Sequence, residues 1–166
     1  MRRSILGAML LLLLPNLALA QQLWGPTTPG MTPDDVVQAV DGAYLHESGD
    51  RLATGAIEAV RRDGYELAGE AFTQRFFFLN DGLTQVTMSL DNTRDFDAMQ
   101  GLIDSLSEEM RERYGEATDS EVTTTGLMRQ AKVGWVDGRR KIRIFSMTMG
   151  EDDALLNVNY QAYFAD

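Results

Sequence analysis

The chain has no cysteine, one histidine and four prolines among its 166 residues. Without cysteine it has no disulfide, no thiolate metal ligand and no thiol nucleophile. A single histidine, His46, excludes a histidine-rich zinc site and leaves a Ser-His-acid triad only one candidate base. His46 lies in a polar stretch beside Glu47 and Asp50, where a solvated side chain is expected. Basic residues are also scarce, 15 against 25 acidic ones, for a net charge of −10. Such a field repels nucleic acid and anionic lipid, so neither is an expected partner. No glycine spacing matches a dinucleotide or phosphate loop, and no cofactor is expected.

The one long apolar run stands at the start. Arg2 and Arg3 precede "ILGAMLLLLLPNLALA", and Ala18-Leu19-Ala20 has the small-x-small form of a cleavage site before Gln21. The run is short for a membrane helix, so residues 1–20 read as a secretory signal peptide. Residues 21–31 then form an extended tail, and 32–166 a single domain. The expected location is periplasmic or secreted, with no stable membrane anchor after cleavage. A chain of this length can bury about two-thirds of its unfolded surface, enough to fold without disulfides.

"TPGMTPDDVVQAV", residues 28–40, reads as the start of a helix. Thr32 suits the N-cap and Pro33 the first helical position, while Asp35 completes a T-x-x-D capping box. Val36, Val37 and Val40 supply a short apolar stripe. Residues 41–55 read as a loop. Three strands follow, at about 57–62, 66–79 and 83–90, with turns at the Asp-Gly steps 63–64 and 81–82 and a bulge or bend at Gly69. The period then changes to 3.6. Phe96, Met99, Ile103, Leu106 and Met110 share one helical face, and Gly115 closes the helix. After a polar loop at 116–125, strands at about 126–136, 140–149 and 154–164 form a second meander. The fold class is α+β, a pseudo-repeated α-βββ-α-βββ with two helices packed on one face of an antiparallel sheet.

The segments "WGPTTPGMTPDDVVQAV", "FFFLNDGLTQVTMSL", a helix ending "ERYG", and "VGWVDGRRKIRI" resemble small, uncharacterised secreted bacterial α+β proteins. The G-M-T-x-x-x-V start at Gly30–Val36 is similar to the outer-membrane-assembly small protein A lipoproteins and to β-lactamase-inhibitor-like modules. The resemblance implies an exported protein that binds other molecules. The lipoproteins carry an N-terminal cysteine that this chain lacks.

Strand alternation separates two sheet faces. Val86, Met88, Leu156, Val158 and Tyr160 form the core face, while Gln85, Asn157, Asn159, Gln161 and Tyr163 point the other way. Phe77 joins that second face and supplies an apolar anchor. These six residues are the candidate partner-binding set, with an envelope protein or glycan as partner. Trp24 and Pro26, in the tail, are candidates to cover the same face. The carboxylates Glu151, Asp152 and Asp153 are the best cation candidates, but they lack the alternating ligand order of a calcium loop. "GRRKIR", 138–143, reads as a charged hairpin tip that discourages edge pairing. The leading expectation is an exported binding module that is not an enzyme. The alternatives are a carboxylate-dependent envelope hydrolase and a structural envelope protein that dimerises through its sheet.

Overall fold

The structure, a computed structural model, describes residues 21–150 and 153–163. Ala18 and Ala20 of the expected cleavage site, and Glu151 and Asp152 of the cation candidates, lie outside those residues. The elements run α1 (Pro33–Ala39), β1 (Tyr44–Leu45), β2 (Ile57–Leu67), β3 (Glu70–Leu79), β4 (Gly82–Leu90), α2 (Phe96–Tyr114), β5 (Asp119–Thr125), β6 (Met128–Asp137), β7 (Arg140–Met149) and β8 (Leu155–Ala162). All eight strands form one antiparallel sheet in the order β1-β2-β3-β4-β8-β7-β6-β5. The fold is α+β with an antiparallel sheet.

The opening stretch starts a helix. The Thr32 side chain accepts from the Asp35 N–H, and the Asp35 carboxylate accepts from the Thr32 N–H at 3.0 Å. Each partner thus satisfies a backbone donor that the first helical turn leaves open. In α2, Asp95 caps the start by accepting from the Ala98 N–H at 2.8 Å, and Gly115 ends the helix at φ 80°. The stripe Phe96, Met99, Leu102, Ile103, Leu106 and Met110 is buried. It packs toward β6 and β7, whereas α1 packs toward β1 and β2. The Trp135 indole N–H finds its acceptor at the helix end, the Gly115 carbonyl, at 3.1 Å.

Two sequence expectations change in the first meander. The β2–β3 turn falls at Ala68-Gly69, where both residues have positive φ, as a type I′ hairpin requires. Asp63-Gly64 instead stands opposite Thr73 alone, as a bulge inside β2, with Gly64 at φ 66°. Glycine at positive φ serves a bulge as well as a turn, and β2 therefore runs to Leu67. The expected polar loop at 116–125 also contains a strand. β5 pairs along its whole length with β6, from Asp119 opposite Gly134 to Thr125 opposite Met128.

The tail is part of the folded body. Leu23 is buried, and Trp24 packs edge-on against Tyr65 and Phe76, both on the core side of the sheet. Gly30 and Met31 exchange backbone hydrogen bonds with Leu83 at the start of β4. The tail therefore does not cover the second face.

Candidate functional site

Register fixes what the second face presents. Gln85, Thr87 and Ser89 on β4 stand opposite Gln161, Asn159 and Asn157 on β8. Those three in turn stand opposite Lys141, Arg143 and Phe145 on β7. Period-two alternation puts all nine side chains on the face away from Val86, Val158 and Ile144. Gln85, Asn157, Asn159 and Gln161 thus lie together, as their alternation predicts.

Phe77 shares this face, opposite Gln85 and Glu58, but it is only 2% exposed. It is not an exposed anchor, and the expected set loses it for a physical reason. The segment before β2 folds back against Glu58, the residue opposite Phe77. The Glu58 N–H donates to the Asp50 carbonyl, and a Cβ on Gly49 would run into the Glu58 carbonyl. The fully buried Glu58 carboxylate accepts from Arg61 at 2.7 Å and lies 3.4 Å from Arg75, which also pairs with Asp50 at 2.9 Å. Two guanidinium groups compensate the buried charge, and the Glu58 hydrogen bond holds the Arg61 guanidinium above its ordinary pKa. The corner is a closed structural knot. The rest of the face is open.

That open part forms a cleft of about 440 Å³ over β4, β8, β7 and β6. Its floor is amide-rich. The Thr87 hydroxyl donates to Asn159 Oδ1 at 2.8 Å, and Gln85 Nε2 donates to Thr87 Oγ1 at 2.9 Å and to Asn159 Oδ1 at 3.3 Å. These bonds hold the floor amides in place before any partner arrives. At one end Lys141 Nζ sits 4.0 Å from the centre of the Tyr163 ring, a cation–π contact that orients both side chains. The Tyr163 N–H donates to the Arg139 carbonyl, which ties the strand end to the β6–β7 turn. At the other wall Asp119 lies over Gly134, where a Cβ would strike its carboxylate. Among the described residues lining the cleft, Asp119 is the one carboxylate.

Lys141 and Arg143 belong to the cleft, although the sequence places them in a basic run at a hairpin tip. Arg140 has a different task. Its guanidinium donates to the Gln22 and Leu23 carbonyls at 3.1 Å each and pairs with Asp137 at 2.5 Å. Gln21 adds to this clamp: its Nε2 donates to the Asp137 carbonyl at 2.7 Å, and its Oε1 accepts from the Arg139 N–H at 2.7 Å. The run thus secures the tail as well as charging a turn. Asp153, the described member of the acidic trio, accepts from the Thr93 hydroxyl at 2.9 Å. Among the described residues no group of three His, Cys, Asp or Glu side chains is placed to hold a metal ion. Nor is any helix among them long and apolar enough to cross a membrane.

No family model, curated protein or solved structure matches this chain. The functional reading therefore rests on its own geometry.

Proposed function

We propose that the chain is an exported, non-catalytic binding module that holds an envelope protein or glycan in the cleft over β4, β8 and β7. The supporting observation is the ordered, uncharged floor made by Gln85, Thr87 and Asn159, flanked by Tyr163 and Lys141. Oriented amides beside an aromatic ring offer donors, acceptors and an apolar face to a polar partner. With Phe77 buried, the anchor role passes to Tyr163, helped by the half-buried Phe145. The resemblance at Gly30–Val36 to small protein A and β-lactamase-inhibitor-like modules belongs to the same reading.

We also propose that the chain is a pseudo-repeat of two halves, each a helix followed by four strands. The strand order, 1-2-3-4 meeting 8-7-6-5, suits a two-fold axis between β4 and β8. Such an axis keeps both helices on one face and leaves the cleft opposite them, across the seam.

The test is capture of a native envelope extract on the immobilised mature chain. Tyr163→Ala and Gln161→Ala should each weaken retention of the partner by about 1–3 kcal/mol while the melting temperature holds. Unchanged retention by both variants rejects the cleft as the contact surface. Intact mass of the exported protein should show a chain beginning at Gln21, and a retained Met1 rejects export with cleavage.

A further inference from the structure

A different corner of the second face carries a different chemistry. On β6 and β7, Met128 stands opposite Met149, and Gln130 opposite Met147. Alternation puts all four side chains on the same face, and directly opposed residues have Cβ atoms roughly 5 Å apart. Gln130 Nε2 lies 3.3 Å from Met128 Sδ and 3.5 Å from Met147 Sδ. Both sulfurs therefore converge on one small volume, and the positive end of the amide already occupies it.

Methionine ordinarily fills cores, where its flexible thioether packs into irregular gaps. Met88, Met99 and Met110 do that here and are buried. The β6–β7 trio does not. Met128 and Met147 are half-buried, and Met149 is 72% exposed on a face that neither described helix covers. Packing does not account for two thioether sulfurs turned toward one amide donor, with a third methionine standing opposite Met128 on the next strand.

We propose that Met128, Met147 and Met149 form a binding site for a soft monovalent cation of the Cu(I) class. Thioether sulfur is a soft, neutral ligand that selects Cu(I) over hard divalent ions. The trio supplies three sulfurs on two adjacent, rigidly paired strands. The chain offers little competition, since it has no cysteine and its single histidine lies at position 46, before β2. Unlike thiolate or imidazole, a thioether has no proton to lose, so binding is flat between about pH 5 and 7. The cation enters and leaves as Cu(I), with no electron transferred. The site lies outside the amide floor and stands or falls independently of it.

The experiment titrates the purified mature chain with Cu(I), without oxygen, against a chromophoric Cu(I) chelator. A parallel titration adds Ag(I), a redox-inert stand-in, to protein labelled with 13C at the methionine methyls. One equivalent should leave the chelator, and the methyls of Met128, Met147 and Met149 should shift while those of Met88, Met99 and Met110 stay. Met128→Leu and Met147→Leu, which conserve volume, should each lower Cu(I) affinity at least tenfold, equally at both pH values. Failure to withdraw Cu(I), binding unchanged in both Leu variants, or loss of binding in His46→Ala overturns the proposal. So do Ag(I)-induced shifts confined to other methionines, a result read on the unaltered protein.

Discussion

Replacing Phe77 with alanine separates a structural corner from an open one. The ring is 2% exposed, but it lies on the sheet face opposite the main core, beside Glu58, against which Gly49 and Asp50 fold back. Deleting a buried phenylalanine side chain costs about 3–5 kcal/mol through lost burial and the cavity left behind. Phe77 stands outside the main core cluster, so a loss at the lower end, about 3 kcal/mol, is expected. With a urea slope of roughly 2 kcal/mol per molar, the unfolding midpoint should fall by about 1.5 M at constant slope. Tyr163→Ala, at the solvent-facing end of the same face, should shift it by no more than about 0.25 M. A Phe77→Ala loss below about 1 kcal/mol would refute the burial and reopen this corner as a binding surface. A changed slope would instead show that the loop unfolds on its own.

Ile103→Ala in α2, fully buried against the sheet, should cost about 2–5 kcal/mol in the same assay. Glu108→Ala should stay within about half a kcal/mol, because its 2.6 Å pair with Arg111 is largely solvated; equal losses would show the helical face to be misassigned. Burial pushes the Tyr160 phenol well above its ordinary pKa. Above about pH 10 the unfolded chain therefore releases a proton that the native state keeps, and stability falls by up to roughly 1.4 kcal/mol per pH unit. Melting curves between pH 9 and 11 should show this slope, and Tyr160→Phe should flatten it; an identical slope in the variant refutes the assignment.

Helix positions were legible from the sequence because capping and periodicity agree there. Thr32 and Asp35 are short-range chemistry, and the Phe96–Met110 stripe repeats for four turns. Strand β5 was not legible. "DSEVTTT" lies at the sheet edge and is exposed at nearly every position, so it shows no apolar alternation. Only its threonines and Val122 favour extended backbone. The swap between Gly64 and Gly69 has a similar origin, since bulge and turn ask the same of a glycine. In the candidate site, alternation sufficed to group Gln85, Asn157, Asn159 and Gln161. It placed Phe77 on the correct face but gave no sign of its cover, which depends on Gly49 fitting against the Glu58 backbone. The Met128–Met147–Met149 corner needed the β6–β7 register, which no spacing within either strand reveals.

The seam between β4 and β8 also governs how the chain reaches its fold. Every other strand pairs with a neighbour in sequence, so β1–β4 and β5–β8 can each zip from local turns. Among the pairings of these eight strands the seam is the one that joins elements distant in sequence, with Gln85 and Asn159 separated by 74 positions. Closing so long a loop is an entropic cost met before the seam contacts form, so the seam is the slow, late event. Until it closes, β4 and β8 are both unpaired edges with an apolar side. Two chains at high concentration satisfy each other's edges by exchanging halves, β4 of one against β8 of the other. The native register is kept in such an exchanged dimer, which makes it the expected by-product of crowded refolding.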